Sequence, residues 1–486
     1  MSEQTSEILN WYQATRVASP PRPRLTLDLD VDVCVIGAGL AGLTAAREIA
    51  RRGWSVAVLE ANTTAWAASG RNTGFVLPGY SEGIDQLVER IGLDHAKQLW
   101  ALSEAGVGYV RDTIKDTGMP GVDPVDGWLN VSKTDDAGAV DAAVERLRWI
   151  GAEVEAWPTT RVREHLPSQR YFGAVHFPRA FHIHPLNYAL GLAAAAEAAG
   201  ARIFENTPAI ALDPAGVRKR IQTPSAHIRA AQVVLAGNIH LGALMPRLAA
   251  TLLPVTTYVL VSEPLGPRLA EVVRYRGAVS DSEWADNHYR IVGGANPDEQ
   301  RLQWSGRMTV WEADPRRFSR ALTASIRRIF PQLGAIKIAH LWSGTLGRSL
   351  HRMPQIGEIQ RGVWVASAFG GHGLNTSALA GGLVARGIVE SDQTWRLFAP
   401  YELVWAGGRF GRAVAQTLYV GSRPIATVAE GIARYRERAR RRKQAKAAAR
   451  RAASAAREAA KAEAAAVGHP PPAGVSAPAG EGLEGR

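Results

Sequence analysis

The chain has 486 residues, 46% of them hydrophobic, which is enough to bury a large core and form more than one domain. A single cysteine, Cys34, excludes an intramolecular disulfide framework and fits a reducing, cytoplasmic setting. The net charge of +12 does not describe the body, because 13 Lys+Arg against 5 Asp+Glu lie beyond residue 430, and the other residues hold 44 basic and 40 acidic groups.

Residues 1–30 read as an N-terminal extension. They have neither a basic n-region nor an apolar h-region, so no signal peptide is expected. No run approaches ~18 uninterrupted apolar residues, so no membrane-spanning helix is expected either. Asp32–Ile36 is then a short apolar strand, Leu40 to Arg52 has helical spacing, and Ser55–Leu59 alternates as a second strand ending at Glu60 and Ala61. Between the first strand and the helix stand Gly37, Ala38, Gly39, Leu40, Ala41 and Gly42. A GxGxxG in a strand–turn–helix–strand frame with an acid ~20 residues on is a dinucleotide half-site. Gly37 permits the turn, Gly39 admits a pyrophosphate, and Gly42 lets helix and strand approach. The helix N-terminus faces the anion, and Glu60 accepts from ribose hydroxyls.

The chain then departs from a nicotinamide-binding pattern. Instead of another strand and helix, Ala61 leads into "NTTAWAASGRNTGF", a loop rich in small residues. Further on come a helix from Leu186 with His182 and His184 packing and capping its start, "NTPA" with Ala209, and a strand ending in Ala236 and Gly237. "PVTTYVLVSEPL" (254–265) and "HYRIVG…RLQWSGR" (288–307) have strand character. Residues 362–388 form a second apolar strand, a glycine-rich turn (Gly370, Gly371, His372, Gly373, Leu374) and a small-residue helix. Two glycine-rich turns so far apart imply a long cofactor. A flavin fits, because its reduced ring carries negative charge that a helix N-terminus stabilises.

These stretches, with "ASGRNTG", "VVLAGN", "LWSG…HRMPQIG" and "FGGHGLN", resemble in order the FAD-dependent amine and amino-acid oxidoreductases of the D-amino-acid-oxidase superfamily. They are most similar to the γ-glutamylputrescine oxidoreductase branch. The resemblance covers roughly residues 10 to 425. It implies a mixed α/β architecture (α+β overall): a Rossmann-like FAD-binding domain with an interleaved antiparallel-sheet substrate domain. The FAD-binding part is expected from 31–80, 166–244 and 336–395, the substrate part from 81–165 and 245–335, with 396–430 packing on the body. It also implies that Ser69, Gly70, Arg71, Asn72, Thr73 and Gly74 run along the flavin and its pyrophosphate, with Arg71 the cation facing them. Ala209, Ala236 and Gly237 would lie near the adenosine, and Gly370 to Leu374 beside the flavin. FAD is expected to be non-covalent, because residues 66–70 contain no histidine and Cys34 lies inside a strand.

For the substrate, the candidates are Tyr258, Tyr289, Arg290, Arg348, His351 and His372. No metal site and no essential general base are expected. Related glycine and D-amino-acid oxidases place a carboxylate-binding arginine after the "W-x-G" turn. Here Leu346 takes that position, and Arg348, two residues on, is expected to point elsewhere. The resemblance therefore implies hydride transfer from an amine carbon to flavin N5, imine release, and reoxidation by O2 or another acceptor. A tRNA-modifying oxidase and a partner-dependent, non-catalytic flavoprotein subunit are the alternatives. The tail, 431–486, reads as a solvated Ala/Arg/Lys-rich helix followed by a disordered Pro/Gly/Ala end. It is expected to be a solubilising appendage, with nucleic acid, an acidic partner or an anionic surface as possible ligands.

Overall fold

The computed structural model describes residues 10–281 and 287–467. The expectations for the first nine residues and for the Pro/Gly/Ala end fall outside these. The chain divides into two compact units, residues 1–430 and 431–486.

The first unit is built on two sheets. In the first, Leu29–Ile36 lies between His227–Leu235 and Val56–Leu59, parallel to both, with Val33 opposite Gln232 and Val56. Arg202–Phe204 and Val363–Ser367 extend it in parallel, and Gln355–Gln360 closes one edge antiparallel. A parallel sheet covered on both faces needs strands that are apolar at successive positions. Accordingly Val33 and Val35 enter the core shared with the helices Leu40–Ala50, Pro185–Ala198 and Gly373–Val389. Cys34 and Ile36 enter a separate core on the other face. Burial pushes the Cys34 thiol up to about 12, so it behaves as a small hydrophobe.

The second sheet runs in the order Ile338–Arg348, Leu253–Ser262, Arg301–Thr309, His288–Val292, Ala278–Ser280, Val125–Val131, Ala174–His182 and Phe75–Val76. Its outer face packs Leu260 and Trp304 against the helix Ser319–Ile329, which contributes Leu322, Ile326 and, at its C-terminal end, Phe330. Membership departs from the sequence boundaries at three strands. Phe75–Val76, Ala174–His182 and Ile338–Arg348 fall in segments assigned to the FAD-binding part, yet all belong to this second sheet. Pairing partners far apart in the chain decide sheet membership, and linear segments do not show them.

The end of this unit is fixed to the second sheet. Met308 N donates to Tyr419 Oη (3.1 Å) and Val310 N to Gln416 Oε1 (3.2 Å). In the second unit, residues 431–467 are helical and the side chains of 442–459 are exposed, as a helix without a buried apolar face requires.

Candidate active site

A cleft of about 1620 Å³ opens between the C-terminal ends of the parallel strands and the inner face of the second sheet. A crevice beyond the carboxyl ends of parallel strands is where such folds bind ligands.

At its first end the glycine turn is set by sterics. Gly37 has φ +110°, and a β-carbon there would lie 2.9 Å from the Ala236 carbonyl carbon. One on Gly42 would lie 2.0 Å from the Gly37 carbonyl oxygen, so that glycine is required by the close approach of helix to turn. Beside Gly39 the space is partly taken by Ser69, whose Oγ accepts from Leu40 N at 3.1 Å. Glu60 is held by two backbone amides: Ala38 N donates to Oε2 and Asn62 N to Oε1, both at 2.9 Å. The carboxylate is thereby fixed at the cleft wall with lone pairs left for hydroxyl donors.

The 68–74 loop is tied down from three sides. Asn72 Nδ2 donates to the carbonyls of Ala68 and Ser69, and Asn72 Oδ1 accepts from Gly74 N. Trp342 Nε1 donates to Arg71 O at 3.0 Å. Gly74 has φ +83°, and a β-carbon there would lie 2.3 Å from Ile183 O. Arg71 Nε donates to Trp66 O (3.1 Å) and its guanidinium lies 5.5 Å from the Trp66 ring centroid, so the cation is anchored where it lines the cleft.

Most of the cofactor candidates line this cleft: Gly37, Gly39, Leu40, Ala41, Glu60, Ala61, Ser69, Arg71, Asn72, Thr73, Ala209, Ala236, Gly237 and the turn Gly370–Leu374. Ala38, Gly42, Gly70 and Gly74 do not line it. They shape the backbone behind it. In the distal turn, Gly371 N donates to Ser81 Oγ (2.9 Å). His372 has its Nδ1 buried without a protein partner. Burial, with His288 and Arg348 nearby, lowers its pKa to about 4, so the ring is neutral. Asn238 Oδ1, also in a cleft-lining residue, is likewise without a partner.

Four substrate candidates are corrected. Tyr258 stacks on Phe318 (3.9 Å) and pairs its hydroxyl with Thr309 Oγ1, because strand alternation gives the cleft to Val255 and Thr257 instead. Tyr289 stacks on Trp304 (4.5 Å) in the outer core, and its neighbour His288 is the residue in the cleft. Arg290 is captured by His182 Nδ1, Ile183 O, Tyr12 Oη and Gln303 Oε1, which leaves its guanidinium outside the cleft lining. His351 sits between Ser349 Oγ and Glu402 O, away from the lining. His184 does cap the helix from Pro185, accepting from Asn187 N, as expected.

Arg348 is the fifth correction. Leu346 and Arg348 lie on one strand two residues apart and both line the cleft, because an interval of two keeps side chains on one face. Burial and the neighbouring Arg352 lower its pKa to about 10, so it remains a cation. His288, missed from the sequence, is joined at Nδ1 to Ser280 Oγ (2.8 Å), which accepts from Trp128 Nε1 (2.9 Å).

A glycine turn on a parallel sheet, an acid fixed at the end of the second strand and a second glycine turn across a long cleft are the features of a dinucleotide-binding fold. The chain belongs to the DAO family of FAD-dependent oxidoreductases, whose model matches residues 32–386. It is 31% identical over 392 residues to gamma-glutamylputrescine oxidoreductase of Escherichia coli, covering 79% of this chain and 89% of that one. It is 30% identical over 405 residues to the probable oxidoreductase OrdL of Haemophilus influenzae, covering 80% and 90%. The fold matches the crystal structure of glycine oxidase from Geobacillus kaustophilus with a TM-score of 0.64 and 22% identity, covering 77% of this chain and 99% of that one. FAD is therefore the cofactor. The residues present suit it: cleft length, two glycine turns, and unpartnered polar atoms at His372 and Asn238.

Proposed function

We propose that the chain oxidises a carbon–nitrogen bond of an amine that carries its anionic group far from the oxidised carbon, as γ-glutamylputrescine does. The reading is supported by the named relative and by one observation, the pairing of Leu346 with Arg348 on the cleft face. An arginine at 346 would serve a carboxylate on the reacting carbon. Two residues along a strand displace the cation by roughly 7 Å, and Leu346 leaves an apolar surface in between.

FAD, when bound, accepts the hydride from that carbon. In this reading the Gly37–Gly42 turn and Arg71 hold its diphosphate, Glu60 its ribose, and the Gly370–Leu374 turn its ring. The protein's further work is orientation and exclusion of water. Arg348 clamps the remote carboxylate, and Leu346 lies along the methylene chain. The neutral His372 ring donates or accepts a hydrogen bond without competing for charge, and His288 stands beside it in the cleft. The amine nitrogen loses a proton as the carbon loses hydride, and the imine is hydrolysed after release. In this reading FAD is held non-covalently, since residues 66–70 carry no histidine and Cys34 is packed in the core on the far face of the first sheet.

Anaerobic mixing of the holoenzyme with γ-glutamylputrescine, putrescine, glycine and D-alanine tests this, with flavin bleaching as the readout. The first should reduce the flavin fastest, and Arg348→Met should raise its KM about tenfold or more, the worth of a charged hydrogen bond. Faster reduction by glycine or D-alanine would put the carboxylate next to the reacting carbon and overturn the reading.

A further inference from the structure

The helix opening at Gly408 has two unlike faces. One carries Ala415 and Tyr419 against Leu253, Val255 and Met308, behind the cleft wall. The other carries Phe410, Val414 and Leu418 at intervals of four, exposed by 83%, 59% and 64%, with Trp405 exposed by 65% just before them. Arg409 and Arg412, in the first two turns of the helix, are exposed as well. Single exposed apolar residues are ordinary on protein surfaces, but several at one helical interval form a patch that marks a contact.

We propose that this face docks on the surface of an anionic lipid bilayer, with Trp405, Phe410, Val414 and Leu418 entering the headgroup boundary and the exposed Arg409, next to Phe410 in the chain, reaching acidic headgroups at its rim. Large apolar side chains flanked by arginine are the composition of a helix lying in that interface. Stable attachment of this kind needs a second signal, and the chain supplies one. Residues 431–486 carry 13 Lys+Arg against 5 Asp+Glu, an attraction to acidic headgroups that acts within a Debye length.

Charge also decides between occupants. A second copy carries the same net charge of +12 and is repelled by it, whereas an anionic surface attracts the chain. Nucleic acid would satisfy the arginines but offers no apolar boundary to Phe410 and Leu418. No helix among the described residues is long and apolar enough to cross a membrane, so the contact is peripheral. The proposal does not depend on which amine is oxidised.

Flotation of the full-length holoenzyme with phosphatidylcholine vesicles, with and without phosphatidylglycerol, tests it. The anionic vesicles should carry the protein and the neutral ones should not, with binding weakening as salt rises. The double variant Phe410→Ser, Leu418→Ser, whose positions are exposed, should keep its FAD and vesicle-free turnover yet bind anionic vesicles about tenfold or more weakly. The proposal is overturned if anionic vesicles fail to bind, or if the double variant binds them undiminished. It is also overturned if that variant instead dissolves a dimer in light scattering, or abolishes a tRNA gel shift.

Discussion

Gly39 and Gly42 stand three residues apart and answer to different neighbours. Gly42 is fixed by backbone, since its β-carbon would meet the Gly37 carbonyl at 2.0 Å. Gly39 faces only the tip of the Ser69 side chain, at 2.9 Å, so the fold tolerates a side chain there better than a ligand would. Gly39→Val should therefore fold but lose FAD. Overpacking of about 1–3 kcal/mol corresponds to roughly tenfold or more in affinity. The ratio of flavin to protein absorbance in the purified variant measures this, and a normal ratio would refute the half-site. Histidines give a second prediction. His182 accepts from Arg290 at Nδ1 and faces Arg276 O at Nε2, so it folds neutral, its pKa lowered to about 3 by burial and by Arg290. His184 (about 3) and His372 (about 4) are lowered in the same direction, burial again first among the causes. Above the unfolded imidazole value near 6.5 both states are neutral and nothing is lost. Below it the unfolded chain takes up protons that the folded chain refuses, so stability falls until the folded pKa is reached. At pH 5 this amounts to about 2 kcal/mol for His182 alone. The thermal midpoint of the holoenzyme should drop clearly between pH 7.5 and pH 5, and an unchanged midpoint would contradict the neutral assignments.

At the scale of elements, legibility followed locality. The strand, glycine turn, helix, second strand and Glu60 are contiguous and pair with one another within about 30 residues, so spacing alone located them. Ala236 and the strand His227–Leu235 also press on the turn and the first strand. The second sheet was harder, because its strands are buried on both faces. "PVTTYVLVS" shows no polar alternation from which to choose the cleft side. Tyr258 and Tyr289 were chosen for their hydroxyls, yet both rings stack in the outer core, and the cleft belongs to their odd-numbered and even-numbered neighbours, Thr257 and His288. Parity could have been read at one place. Leu346 and Arg348 occupy one strand, and an interval of two cannot turn the arginine away. Arg290 was beyond such reasoning. Its acceptors, Tyr12, His182, Ile183 and Gln303, come from three separate parts of the chain.

At the scale of the whole molecule, the two units should differ in what their removal costs. Tyr419 and Gln416 hold sheet amides behind the cleft wall, whereas residues 442–459 are exposed throughout. Ending the chain after Gly431 should therefore leave FAD content, turnover and thermal midpoint intact. Loss of flavin on this truncation would show that the basic unit supports the body. The cleft has a further consequence, for the order of events during synthesis. Its lining begins at Ile36 and runs to Ser377, and the turn Gly370–Leu374 sits near the end of that span. A nascent chain already displays the glycine turn and Glu60 after some sixty residues, yet it lacks His372 and the helix behind it. The second sheet is also left without its edge strand Ile338–Arg348. At ribosomal rates of about 5–20 residues per second, a half-formed nucleotide site stands open for tens of seconds before a flavin can be enclosed. Cofactor supply then acts on the finished chain rather than on the growing one, and free FAD sets the yield of folded enzyme by mass action after release.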